Sequence, residues 1–130
     1  MYLFTLVDNI RTMIEGLRRE RGDYKLVMLY NQALDASSSW NLIISSDWTD
    51  ELGIGEATKF LAEKLFEYLG PDERAGLSRI TVLETKDPFV TDMTRLYQVN
   101  GNGVPLQQVT AGGVTEGAGY VFYSRPEVTA

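Results

Sequence analysis

Tyr24-Lys25-Leu26-Val27-Met28-Leu29-Tyr30 and, nine residues further on, Trp40-Asn41-Leu42-Ile43-Ile44-Ser45-Ser46 decide how this chain is read. Both runs are short, partly β-branched or aromatic, and bounded by turn-forming residues, which is the pattern of strands and not of helical turns. Leu26 to Tyr30 offers water no polar side, so the first strand is expected inside a sheet and covered on both faces. Leu42 to Ile44 has the same character. The link Asn31 to Ser39 is too long for a tight hairpin and is rich in Ser and Asp, whose side chains bond their own backbone in turns.

The flanks read outward from this pair. Upstream, Leu3, Leu6, Val7, Ile10, Met13, Ile14 and Leu17 recur at helical spacing, with Asp8, Arg11, Glu15 and Arg18 opposite them, giving a helix over residues 3 to 21. Arg18, Arg19 and Arg21 crowd its last turn ahead of Gly22, as cations set against the negative helix end and a glycine stop. Gly16 inside that helix suggests a close crossing with a neighbour, because an interior glycine otherwise costs about 1 kcal/mol relative to alanine.

Downstream come residues 47 to 55, and then a helix from about Glu56 to Leu69, stopped by Gly70-Pro71. Ile54, Ala57, Phe60, Leu61, Leu65, Tyr68 and Leu69 form an apolar arc too wide for one partner. The sheet plus another helix, or the sheet plus a second subunit, would cover it. Phe60, Phe66 and Leu69 are the candidate interface residues, and a homodimer is the expected partner arrangement. After a polar connector at residues 71 to 76, Arg79 to Glu84 reads as a third strand. Asp87-Pro88 opens a short helix to about Gln98 with Gly101 as its stop. Val104 to Thr110 and Tyr120 to Ser124 are two further strands, antiparallel across a glycine-rich link within the hairpin region 101 to 124. Residues 127 to 130 form a frayed tail.

These elements make a single α+β domain over residues 1 to 130, with a mixed sheet of four or five strands packed by two to three helices. Hydrophobic residues at 44% and charged residues at 23% allow a packed core in a chain of 130 residues. A net charge of -6 leaves no basic field for a phosphate backbone, so nucleic-acid binding is not expected. The apolar run Tyr2 to Val7 is too short for a signal sequence or a membrane span, and a cytoplasmic location without membrane contact is expected.

The chain has no cysteine and no histidine, which removes disulfides, Cys/His zinc sites and imidazole acid-base chemistry. Ser37, Ser38 and Ser39 have no histidine base to activate them and read as turn formers. The glycines between Gly112 and Gly119 match no phosphate-loop spacing. Asp47, Asp50 and Glu51 stand where a strand gives way to a helix, a place where ligands bind in α/β proteins, and paired carboxylates suit a hard divalent cation. The simpler account is that Asp47, Thr49 and Asp50 cap the helix and that acids favour its positive end.

The order helix, strand, link, strand, helix, strand over residues 3 to 84 resembles the core of the minimal nucleotidyltransferases. In that family a Gly-Ser follows the first strand and an Asp-x-Asp on the second holds magnesium and the triphosphate. Asn31-Gln32 and Trp40-Asn41-Leu42 or Asn41-Leu42-Ile43 stand at those places here. The resemblance therefore implies a catalytically silent relative that binds a nucleotide or a protein. The first expectation is a non-enzymatic, homo-oligomeric binding or assembly module without a cofactor. The alternative is a magnesium-dependent phosphoryl or nucleotidyl enzyme using Asp47, Asp50 and Glu51.

Overall fold

The computed structural model describes residues 3–31, 40–106 and 118–126. The Ser-rich link, the glycines from Gly112 to Gly117, the end of the strand expected to reach Thr110 and the tail 127–130 lie outside these residues. The described chain runs α1 (Leu3–Arg21), β1 (Leu26–Asn31), β2 (Trp40–Ser45), α2 (Asp47–Leu52), α3 (Ile54–Tyr68), α4 (Pro71–Ala75), β3 (Leu77–Val82), α5 (Pro88–Leu96), β4 (Val99–Leu106) and β5 (Ala118–Ser124). It is an α+β domain on one mixed five-stranded sheet of order β3-β2-β1-β5-β4.

The two apolar runs pair antiparallel, from Leu26 opposite Ser45 to Tyr30 opposite Asn41. β1 takes β5 on its other side and is central, with Leu26, Val27, Met28 and Leu29 all at 0% exposure. A strand without a polar face is thus covered by helices above and below. On one face, α1 and α3 bury Leu6, Ile10, Met13, Leu61 and Leu65 against Val27, Leu29, Leu42, Ile44 and Phe122. On the other, Val90 and Met93 of α5 cover Leu26, Met28, Ile43 and Val121.

β2 and β3 run parallel, so the chain must cross over the sheet between them, and α2, α3 and α4 make that crossing. α4 falls on the segment read from sequence as a connector, and α2 on residues to which the sequence reading gave no element. Pro71 stands in the first turn of α4, where its fixed φ and missing N–H cost nothing. β3 and α1 meet most of the apolar arc of α3, while Ile54 and Tyr68 within it stay exposed. Gly16 marks the crossing: a Cβ there would come within 3.2 Å of the Tyr68 hydroxyl.

α1 ends as its sequence suggests, with Gly22 at φ +133° and its N–H donating to the Arg18 carbonyl at 3.0 Å. α5 stops at Leu96, and Gly101 is not its stop. Gly101 and Gly103, both at positive φ, form a bulge inside β4, where the pairing with β5 jumps from Asn100 to Val104. Among the described residues no helix is long and apolar enough to cross a membrane.

Candidate functional site

The acids after β2 are the first candidates. α2 is capped by Ser46, in extended backbone, whose Oγ accepts the Thr49 N–H at 3.0 Å while Thr49 Oγ1 accepts the Ser46 N–H at 3.0 Å. Both residues are buried, so this reciprocal pair satisfies donors that water cannot reach. Capping therefore belongs to Ser46 with Thr49, and not to Asp47 or Asp50. Asp50 is otherwise engaged: its carboxylate accepts from the Thr85 hydroxyl at 2.6 Å and from the Thr85 N–H at 3.2 Å, tying α2 to the segment after β3.

Of the three acids, Asp50 alone lines the neighbouring open cleft of about 490 Å³, together with Thr49, Ile54, Val82, Glu84 and Lys86. Asp47 and Glu51 are exposed on α2 outside its walls. Among the described residues no three Asp, Glu, His or Cys side chains gather as metal ligands.

The perturbed titrations lie where α1 meets the sheet. Burial and a hydrogen bond donated to Glu15 push the Tyr123 phenol up to about 12. Burial also raises the Tyr24 phenol, which donates to the Ile14 carbonyl at 3.0 Å. Burial of Asp23 works against its ionisation, but Arg18 at 2.6 Å and Arg125 at 3.5 Å outweigh it and hold the carboxyl below its usual value. These groups fasten α1 and the segment after β5 to the sheet.

The three interface candidates part company in space. Phe60 is half-buried, meets Trp48 edge-on at 6.0 Å and lies under the Arg21 guanidinium at 4.6 Å, stapling α3 to α2 and α1. Leu69 is buried. Phe66 is 67% exposed, with Arg74 stacked 4.0 Å over its ring and anchored by a 2.7 Å bond to the Leu69 carbonyl.

Phe66 and Leu69 line an open apolar groove of about 410 Å³ between α3 and β3, with Leu65, Leu77 and Ile80, and with Arg74 and Arg79 also in its wall. Together with the Asp50 cleft it lies along β3, which among the described residues has a strand neighbour on one side only. The Leu83 N–H donates to the Ile44 carbonyl at 3.0 Å and so faces β2. Alternation along the strand turns the backbone groups of Ile80 and Val82 the other way, out of the sheet.

α3 presents Ile54, Thr58, Ala62 and Phe66 to this trough, one row at successive intervals of four. The ends are large and exposed, Ile54 at 49% and Phe66 at 67%, and the middle is small. The interval of four was visible in the sequence. That it flanks a sheet edge was not, since this depends on β3 being last in strand order.

The two edges of the sheet differ. β4 carries the Gly101–Gly103 bulge and Pro105, devices that prevent another strand from adding to it. β3, Leu77-Ser78-Arg79-Ile80-Thr81-Val82, has neither proline nor glycine, and its one pairing irregularity lies near its start, leaving Arg79 to Val82 regular. Compared with known proteins, the chain matches no family model, no curated protein and no solved structure.

Proposed function

We propose that this protein is a non-enzymatic association module that captures an extended segment along β3. The observation that carries this reading is the β3 edge, free of proline and glycine and regular from Arg79 to Val82, set beside an apolar trough. A strand added there gains main-chain hydrogen bonds to the outward groups of Ile80 and Val82, and its alternate side chains enter the groove between Phe66 and Ile80. The row from Ile54 to Phe66 spans about 18 Å at helical rise, the length of five or six residues in a strand. Arg74 and Arg79 at one end favour a ligand carrying an acidic residue there.

A display library of six-residue peptides with alternating apolar and polar positions tests this reading. Binders are expected, and Ala62→Arg or Phe66→Asp, which place a charge in the trough, should abolish their binding. A library without binders, on a chain that stays monomeric, sinks the proposal. So does a rise in melting temperature with a nucleoside triphosphate and magnesium that disappears in Asp50→Asn, because that outcome makes the acid cleft the working site.

A further inference from the structure

Resting on the association reading, we infer that the segment captured along β3 is β3 of a second copy, so that two chains join edge to edge into one continuous sheet about a two-fold axis. A two-fold interface uses the same patch on both copies, and the patch must therefore be complementary to itself after being turned around. The trough has this property. Its row on α3 is symmetric about position 60: Ile54 and Phe66 lie six residues to either side, and Thr58 and Ala62 two residues to either side.

Turning one copy over sets the exposed Phe66 of each against Ile54 of the other. Thr58 then faces Ala62 at the centre, where small side chains let two helices approach. Along the sheet edge the same axis pairs the strands antiparallel about Thr81. Ile80 of one copy then exchanges amide bonds with Val82 of the other. The two midpoints stand at one level, since Thr58 and Ala62 share a groove with Ile80 while Ile54 shares its cleft with Val82.

Charge repeats the pattern. The Phe66 end carries Arg74 and Arg79, whereas the Ile54 end carries Asp50 and Glu84, with Lys86 paired to Glu84 at 3.4 Å. The two-fold brings the positive end of each copy to the acidic end of the other, although the chain as a whole is at -6 and two copies repel at long range. A partner of a different sequence would not require the row to read the same in both directions.

Light scattering on the full chain from micromolar to submillimolar concentration should show the mass rising to twice 14.6 kDa. Arg74→Glu and Glu84→Arg each set like charges together across the axis and should each weaken the dimer by about tenfold or more, with unchanged circular dichroism. An equimolar mixture of the two variants restores both pairs in a heterodimer and should recover the wild-type mass. That rescue is specific to residues meeting across a two-fold. A wild-type chain that stays monomeric overturns the inference, and so does a dimer that both variants leave intact. Six-residue binders found alongside a monomeric chain would leave strand capture standing and remove self-pairing. A monomer that also captures no peptide removes both.

Discussion

Replacing Gly103 by alanine should be among the most damaging single-methyl additions possible in this chain. Gly103 sits in the β4 bulge at φ +77°, where an L-residue costs about 1–2 kcal/mol. Its Cβ would fall 2.1 Å from the Tyr120 hydroxyl oxygen, 2.7 Å from Cζ and 2.8 Å from Arg11 Nη2. Arg11 donates to that hydroxyl at 2.8 Å, so the methyl group displaces both members of a bonded pair. The groups in the way are the far ends of half-buried side chains that can swing aside, so the crowding adds about 1 kcal/mol, and losing a hydrogen bond to a charged donor adds about 1.5 kcal/mol. The terms overlap, and about 2–3 kcal/mol is expected from a total that is typically about 5–15 kcal/mol. Urea unfolding followed by tryptophan fluorescence reads it as a fall in midpoint at constant slope. Gly55→Ala is the control. It lies in the first turn of α3 with open space around it, and should stabilise by no more than about 0.5 kcal/mol. The reasoning is refuted if Gly103→Ala unfolds within about 0.5 kcal/mol of the wild type, the scatter of ordinary surface changes.

Three further outcomes follow from the packing. Tyr123 has a phenol pKa raised from 10.0 to about 12, so its contribution is complete below pH 10 and is lost as pH rises toward 12. That loss amounts to about 3 kcal/mol at most, and melting curves across this range should fall less steeply for Tyr123→Phe. Asp23 has a lowered pKa, so its stabilisation is present above the ordinary carboxylate value and lost as pH falls through the folded one. The stability gap between wild type and Asp23→Asn should therefore close in acid, below about pH 4, as followed by thermal melts. Ser46→Ala leaves the buried Thr49 N–H without its acceptor and should cost about 1–2 kcal/mol by chemical unfolding. Asp47→Asn should change little, because Asp47 does not cap α2.

Periodicity carried the sequence reading wherever one face of an element meets the core. α1, the β1–β2 pair and α3 were legible for that reason, since seven apolar positions in α1 or five in a row in β1 admit one kind of burial. α2 was missed, and Asp47, Thr49 and Asp50 were given to the start of the following helix, because acids near a helix start draw attention to charge. The partner of Ser46 is Thr49, a residue shorter than the Glu or Gln that usually marks a capping box. The start of β4 was missed because Gly101 and Gly103 read as breakers, when they are what lets the strand bulge past the Tyr120 and Tyr123 hydroxyls. The trough was not legible as a site. Phe66 was singled out, but Ile54 was counted with the core-facing arc, and Ile80 and Arg79 with an ordinary strand. Which strand ends the sheet is a fact about long-range pairing, and no local pattern of residues encodes it.

The central place of β1 also orders events in time. One of its neighbours, β2, is made almost at once, but the other, β5, comes from the far end of the chain, and β4 reaches the sheet by pairing with β5. At cellular rates of synthesis the ribosome needs on the order of ten seconds to travel from Asn31 to Ala118. Throughout that interval a nascent chain holds one side of its most apolar strand without the partner it will keep. Termination before Ala118 would do more than shorten the sheet, because the missing strand is the one that joins its two halves.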